Sequence, residues 1–165
     1  CQGFAPQAGV ELFYYLIRWI KYMYTILASH GPMAEGTKGT AEMIAGVQED
    51  FYAFGIFPGE DPVVLSDKIE AVVKEASEKG EDVMIFTDLV SGTPFNVTMP
   101  LMQKYPNIYH ITGMNMTMLV SVLSQKAFMS AKELYDDVRD CKDDFIMLMN
   151  DVLASIDDDD DEDEE

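Results

Sequence analysis

The chain has 165 residues, of which 48% are hydrophobic and 11% aromatic, so it can form a domain with a core of ordinary size. Its 30 acidic residues against 11 lysines and arginines give a net charge of −19, which disfavours binding to nucleic acid or to an anionic membrane surface. Cys1 and Cys141 lack any C-x-x-C or Cys/His spacing, so neither a disulfide framework nor a metal site is predicted.

The two ends of the chain differ in composition from the part between them. Residues 1–22 begin with Cys and run through GFAPQAG into the aromatic LFYYLIRWIKY, and our hypothesis is that they are an extension and that Met23 is the native start. The alternative is an added helix that packs on the domain. The apolar stretch Val10–Ala28 contains charged residues, which argues against a membrane span. Residues 151–165 are predicted to be a solvated acidic tail, which leaves one domain over residues 23–150.

Between these ends, short β-rich runs alternate with longer amphipathic runs, which is typical of an α/β fold around a mostly parallel sheet with helices on both faces. The predicted strands are Tyr24–Ser29, Phe51–Phe54, Asp82–Thr87 and Ile108–Thr112. The predicted helices are Met33–Val47, Pro62–Lys79, Pro94–Tyr105, Met116–Leu123 and Ser130–Cys141. We expect Gly80 to end the second helix and Ser130 to form a capping box with Glu133. The run Phe145–Met149 fits either a helix extension or a fifth strand.

The first strand end that carries a candidate functional residue is the run Ser29-His30-Gly31-Pro32. In sheets of this kind, chemistry gathers at the carboxyl ends of the strands, close to the point where the strand order reverses. His30 directly follows the first strand, so its imidazole is expected at that edge, although a single histidine is more often structural than catalytic. His110 lies inside the strand-like run NIYHIT and is predicted to be a half-buried residue of the sheet.

The second informative strand end is the loop DLVSGTPFN, which starts at Asp88. Thr93 is the expected N-cap of the next helix and Pro94 its first residue, so the loop presents backbone N–H groups where anions bind favourably. An ordinary capped helix with nothing bound is the alternative, and Asp88 could equally cap a turn. If the first and third strands are neighbours, His30, Asp88 and Thr93 share one cleft. A carboxylate on one ring nitrogen would leave the other free as a nucleophile toward a phosphoryl group.

Motifs that the sequence lacks narrow the choice of function. No G-x-x-x-x-G-K-[ST] run is present, which argues against an ATP-binding P-loop. No G-x-S-x-G run is present either, which weakens a serine hydrolase site at Ser29 or Ser91. Arg18 and Arg139 lie outside both strand-end motifs, so a phosphatase that clamps phosphate with arginine is disfavoured. A carrier that passes a phosphoryl group between proteins fits better, because its partner helps to complete the site.

Four runs of the sequence carry a resemblance to a known family. In chain order they are MYTILASHGPMAEGTKGTAEMIAG, FPGED, IFTDLVSGTPFN and ITGMNMTMLV, over about Met23 to Asn150. They resemble the enzyme IIA component of the mannose, fructose and sorbose family of the bacterial phosphotransferase system. The pairing of S-H-G with D-x-x-x-G-[ST]-P-F-N is specific. The resemblance implies a doubly wound α/β fold, a cytoplasmic location beside a membrane permease complex, and neither cofactor nor metal.

The resemblance also implies a phosphocarrier. Such a protein would accept a phosphoryl group from the histidine-containing phosphocarrier protein HPr on Nε2 of His30 and pass it to a IIB subunit. IIB would then phosphorylate a sugar that enters through the membrane components IIC and IID. Asp88 matches the family's carboxylate that orients the histidine at Nδ1, and Thr93 matches the hydroxyl residue beside the phosphoryl group. Backbone groups of Ser91, Gly92 and Thr93 are expected to complete the pocket.

The family is usually dimeric and exchanges a C-terminal strand between subunits, which makes Phe145–Met149 the candidate for that strand. The chain departs from the family pattern in its second loop, where Ser91-Gly92 replaces Gly-Gly, so the first position must tolerate a side chain. Leu89 stands where some relatives have a hydroxyl. No IIB domain follows in this sequence, so we expect IIB to be a separate polypeptide.

Two alternative functions remain open at this point. One is a regulatory IIA-like module whose phosphorylation state signals to another protein. The other is a related carrier that serves dihydroxyacetone phosphorylation and shares the fold and the active histidine. The S-G-T-P-F-N loop favours the sugar branch, but a shared fold and site do not fix the final acceptor.

Overall fold

The computed structural model describes residues 23–154, so the predictions for residues 1–22 and for the end of the acidic tail lie outside the described residues. Within the described part, four parallel strands form one sheet in the order β2-β1-β3-β4. The strands are β1 Met23–His30, β2 Phe51–Ile56, β3 Asp82–Thr87 and β4 Ile108–Thr112. All four predicted strands are confirmed. β2 runs two residues further than predicted because Gly55 and Ile56 pair with Ser29 and His30.

Helices connect the strands and follow them in the chain. They are α1 Met33–Ala45, α2 Pro62–Lys79, α3 Thr93–Lys104, α4 Met116–Gln125 and α5 Ala131–Asp140, and a 3-10 turn covers Lys142–Phe145. Gly80 ends α2 with a left-handed φ of 74°, and Ser130 and Glu133 form the capping box of α5, which confirms both predictions. α1 ends two residues before the predicted Val47 because Gly46 takes a φ of 81°.

The core has two layers, one on each face of the sheet. Since successive side chains of a strand point to opposite faces, β1 sends Leu27 into one layer and Ile26 into the other. The Leu27 layer is completed by buried residues of α1, α4 and α5, and the Ile26 layer by buried residues of α2 and α3. Helices therefore cover both faces, and the predicted α/β class with a parallel sheet is confirmed.

The start of α3 differs from the prediction by one residue. Thr93 is the first helical residue, not the N-cap, and Gly92 takes the N-cap position without any side-chain cap hydrogen bond. The reason lies in the backbone, because the Gly92 carbonyl already accepts the hydrogen bond of the Asn96 N–H at 2.9 Å. Pro94 is accommodated in the first turn, where no intrahelical N–H is needed.

The segment Phe145–Met149 forms neither of the two elements predicted for it. Phe145 ends the 3-10 turn, Ile146 is extended, and residues 149–154 are helical, so no strand of the described chain forms here. The side chains of Ile146, Met147, Leu148 and Met149 are exposed. Strand exchange needs a second copy of the chain and stays a prediction. Among residues 23–154, no helix combines the length and the apolar character that crossing a membrane requires.

Candidate functional site

The site lies where the strand order reverses. From β1 the chain proceeds to β2 on one side, whereas β3 pairs with β1 on the other side. The carboxyl ends of β1 and β3 therefore flank the crevice in which ligands of open parallel sheets usually bind. His30 is the last residue of β1, and Asp88 directly follows β3. The expectation that the first and third strands are neighbours is confirmed.

Asp88 holds the imidazole of His30 in one orientation. The Asp88 Oδ2 atom lies 2.8 Å from Nδ1 of His30 and also accepts the backbone N–H of His30 at 2.7 Å. Its second oxygen, Oδ1, accepts the backbone N–H of Leu89 at 2.8 Å. An acceptor-only carboxylate at Nδ1 favours the tautomer with its proton on that nitrogen, which leaves the lone pair on Nε2. The side chain of His30 is 46% exposed, whereas that of Asp88 is 11% exposed, so the ring can meet a partner while its anchor is shielded.

Gly92 packs closely against the ring of His30. A Cβ atom at this position would lie 2.7 Å from Cε1 and 3.5 Å from Nε2 of His30, and the first of these distances is a clash. The φ of Gly92 is −74°, which any residue can adopt, so the need for glycine is steric. From the sequence, Gly92 is expected to contribute only backbone groups to the pocket. Its close contact with the ring follows from how two distant segments meet and has no signal in the local sequence.

Ser91 takes a left-handed conformation with a φ of 61°. This conformation costs a residue with a Cβ atom roughly 1–2 kcal/mol, whereas glycine adopts it freely. The loop therefore tolerates a serine at the position before Gly92, but in a strained backbone geometry. The Ser91 side chain is exposed, so a hydroxyl here meets solvent.

Thr93 and His30 line the same open cavity, whose volume is about 550 Å³. The loop after β2 forms the opposite wall with Phe57, Pro58 and Glu60. Because the N-cap of α3 makes no side-chain hydrogen bond and Pro94 has no N–H, the backbone N–H groups of Thr93 and Phe95 are the ones that this helix can offer to an anion. None of the residues that line this cavity in the described part of the chain is a lysine or an arginine.

The serines and the second histidine have other roles in the structure. Ser29 is fully buried, and its Oγ accepts the backbone N–H of Ala34 at 2.7 Å, so this hydroxyl holds the start of α1. His110 is half-buried, as predicted, with Nε2 2.9 Å from Oγ1 of Thr87 and its ring centre 5.3 Å from that of Phe95. Burial lowers the pKa of His110 to about 4, so the ring is neutral at neutral pH.

Comparison with known proteins identifies the family. The profile of a family described as "PTS system fructose IIA component" matches residues 24–139. The chain belongs to this family. It is 32% identical over 123 residues to the sorbose-specific EIIA component of Lacticaseibacillus casei, an alignment that covers 74% of this chain and 88% of that protein.

Two further relatives support the same family. The chain is 33% identical over 99 residues to the mannose-specific EIIAB component of Escherichia coli (strain K12), covering 59% of this chain and 30% of that protein. The crystal structure of EIIA from Streptococcus agalactiae aligns with a TM-score of 0.69 at 27% identity, over 78% of this chain and 98% of the other. The chain is therefore an EIIA-type component of the sugar phosphotransferase system and has the coarse function of that family, phosphoryl transfer in sugar uptake.

Proposed function

We propose that the chain is a phosphocarrier whose His30 accepts a phosphoryl group on Nε2 from phospho-HPr and passes it to a separate IIB subunit. The observation that carries this proposal is the hydrogen bond of 2.8 Å between Nδ1 of His30 and Asp88, at an exposed strand end. This bond directs the free lone pair of the imidazole to Nε2, the nitrogen that faces away from the carboxylate.

The proposed transfer has simple chemistry. The Nε2 lone pair of His30 attacks phosphorus, and the bond between phosphorus and the histidine of the donor breaks. Since Nδ1 of His30 keeps its proton, the phosphorylated ring carries a positive charge, which the Asp88 carboxylate balances. In the onward step, a nucleophilic side chain of IIB attacks phosphorus while the P–Nε2 bond breaks, and the ring leaves as neutral imidazole.

The pocket is suited to a group that must be released again. Thr93, the backbone N–H of Ser91 and the N-terminus of α3 are the proposed donors to the phosphoryl oxygens, and all of them are uncharged. The sequence-based expectation also included the backbone of Gly92, but its N–H already donates to the Leu89 carbonyl at 3.2 Å. A lysine or arginine would add a charge-assisted hydrogen bond to the phosphoryl oxygens, which stabilises the phosphorylated carrier and opposes release of the group. Neutral donors support transfer without trapping the phosphorylated state.

The surroundings of His30 suit docking of other proteins. Phe57 follows β2, and Leu89 and Val90 follow β3, so three exposed apolar side chains lie at the edge of the sheet that carries His30. We propose that HPr and IIB dock there in turn, and that the net charge of −19 speeds encounter with partners that have a basic docking face. The membrane components IIC and IID would take part only indirectly, and the carrier itself would act in the cytoplasm.

A homodimer belongs to the same proposal. Among residues 23–154, β4 is an edge strand of the sheet, and the segment Phe145–Met149, with four exposed apolar side chains, comes after α5. We keep this segment as the candidate for a strand exchanged between two copies. The proposed activity needs neither a cofactor nor a metal.

The deciding experiment uses phosphoenolpyruvate labelled with 32P, enzyme I and HPr, and compares the wild-type chain with His30→Ala. His110→Gln is the matched control, because it removes the other histidine of the domain. We expect label that depends on HPr, is acid-labile and alkali-stable, is absent in His30→Ala and is retained in His110→Gln. Label that persists in His30→Ala would refute the assignment of His30.

A second stage of the same experiment tests the onward transfer. The labelled chain is separated from HPr and mixed with IIB subunits from sugar permeases of this family. Loss of label from the chain with its appearance on IIB supports the carrier function. A chain that accepts label and passes it to no IIB subunit would instead be a regulatory module.

A further inference from the structure

We propose that Asn96 is a positioning residue for His30, and that it acts through the backbone of Ser91 and Gly92. This inference rests on the proposed function of the site. Asn96 lies in the first turn of α3 and donates to the last two carbonyl groups of the loop that passes the imidazole. Its side-chain Nδ2 donates to the Ser91 carbonyl at 3.0 Å, and its backbone N–H donates to the Gly92 carbonyl at 2.9 Å.

The loop that Asn96 holds is a tight turn. The Gly92 N–H donates to the Leu89 carbonyl at 3.2 Å, so residues 89–92 close a four-residue turn. Ser91 is its third residue and has a φ of 61°, a conformation that favours glycine or asparagine. Ser91 therefore adopts a backbone conformation that is unfavourable for serine. A contact from outside the turn must stabilise this conformation.

The turn also determines where Gly92 lies relative to the imidazole. The space between Gly92 and Cε1 of His30 has no room for one added carbon atom. If Ser91 relaxed toward a negative φ, the peptide groups on both sides of it would rotate, and Gly92 would move relative to the ring. The Ser91 N–H, one of the donors proposed for the phosphoryl oxygens, lies on one of these peptide groups. Through its hydrogen bonds to the Ser91 and Gly92 carbonyls, Asn96 thus fixes the pocket loop relative to α3.

This arrangement predicts a specific dependence between two positions. Without the Asn96 amide, the strained Ser91 loses the hydrogen bond that holds its carbonyl, and the pocket loses its geometry. A glycine at position 91 adopts the same φ without strain, so the turn would then need the amide less. The loss caused by Asn96→Ala should accordingly be large in the presence of Ser91 and small in the presence of Gly at that position.

The test is a double-mutant cycle with Asn96→Ala, Ser91→Gly and the combined variant. The rate of His30 phosphorylation is measured with phospho-HPr and with phosphoramidate, a small phosphoryl donor that needs no docking surface. We expect Asn96→Ala to slow both reactions roughly 10-fold through misplacement of the pocket, and Ser91→Gly in that background to recover most of the rate. Asn115→Ala is the matched control, since Asn115 caps α4 through the Met118 N–H and is expected to leave the rate unchanged.

A second readout does not depend on phosphorylation. Because Gly92 lies against Cε1 of His30, the NMR signal of the Cε1–H group reports the position of the loop. We expect this signal to shift in Asn96→Ala, to return in the combined variant and to stay in place in Asn115→Ala. An unchanged signal and rate in Asn96→Ala, or no recovery with Ser91→Gly, would overturn the inference. If neither donor labels the wild type, the proposed function fails, and the NMR cycle still decides the role of Asn96.

Discussion

The two histidines of the described domain have the same side chain in contrasting surroundings. His30 ends β1, is 46% exposed at its side chain and contacts a carboxylate. His110 lies within β4, is half-buried and contacts the hydroxyl of Thr87 and the ring of Phe95. An imidazole that gains and loses a positive charge needs a counterion and access to solvent, and only His30 has both. Both residues are histidines, so their different surroundings come from their positions, at the end of β1 and inside β4.

The segment that runs from the loop after β3 into the first turn of α3 contributes to both environments. Its Asp88 and Gly92 contact the ring of His30, whereas Phe95, three residues further, packs against His110. A short stretch of sequence thus orients one imidazole toward solvent and shields the other. Substitutions in this segment can therefore disturb one histidine and leave the other in place.

The largest effect is expected for Asp88→Asn, which removes the carboxylate that His30 contacts and His110 does not. The carboxylate accepts three hydrogen bonds, two from His30 and one from Leu89, and an amide cannot accept on both of its ends. The variant also loses the charge that balances the phosphorylated ring. We expect the phosphorylation rate to fall roughly 100- to 1000-fold.

The measurement for Asp88→Asn combines transfer from phospho-HPr with 15N NMR of the His30 ring. The Nδ1–H tautomer should lose population, while the signals of His110 should stay unchanged. Circular dichroism checks that the fold is retained. A variant that transfers at the wild-type rate would show that the carboxylate is not needed to orient the ring.

A smaller effect is expected for Gly92→Ala, which adds a methyl group at the point where the loop contacts the ring of His30. The added Cβ would lie 2.7 Å from Cε1 of His30, so the partly exposed ring must move toward solvent. We expect phosphorylation to slow roughly 10- to 100-fold, because the attacking nitrogen leaves the position set by the pocket. Since the clashing ring is partly exposed and not among the buried core residues, thermal stability should change little.

Gly39→Ala is the control for this substitution. Gly39 lies in α1, and an added Cβ there meets no atom within 4 Å apart from its chain neighbours and the nearby backbone of its own helix. It should leave the phosphorylation rate unchanged and raise stability slightly, because alanine favours the helix. Equal rates for Gly92→Ala and Gly39→Ala would show that the close contact with His30 has no functional consequence.

The parts of the site that sequence analysis predicted follow from general rules of parallel sheets. Alternating β-rich and amphipathic runs gave the four strands and their helices, and the carboxyl-end rule predicted that His30 and Asp88 lie at one edge of the sheet. The predicted start of α3 was wrong by one residue. Thr93 and Pro94 are residue types typical of an N-cap and a first helical residue, which is why the sequence pattern predicted the N-cap at Thr93. The backbone hydrogen bond from Asn96 to Gly92 decided the boundary instead.

Other features were beyond the reach of the sequence. The left-handed φ of Ser91 could not be predicted from the neighbouring residues, because serine is not a residue type that indicates a left-handed conformation. The contact between Gly92 and His30 joins residues from different strand ends and depends on their separation to within an ångström. For Phe145–Met149, the apolar pattern fits several structures, and its conformation depends on whether another chain covers it.

The smallest effect is expected at His110 and appears in stability. Burial lowers the pKa of His110 to about 4 from its ordinary value of 6.5. Between these values the unfolded chain binds a proton that the folded chain does not, so the stability contributed by the neutral ring is complete above pH 6.5 and is lost as the pH falls toward 4. Because the ring is only partly buried, we expect a loss of about 1–2 kcal/mol between pH 7 and pH 5.

Urea unfolding of the wild type and of His110→Gln at pH 7 and pH 5 measures this contribution. Glutamine can still bond to Thr87 but does not titrate in this range, so the difference between the two chains isolates the ring from the many carboxylates of the domain. The wild type should lose more free energy of unfolding than the variant on acidification. Parallel losses would mean that the folded chain admits a charged imidazole at this position, and the contrast with His30 would then rest on Asp88 and not on burial.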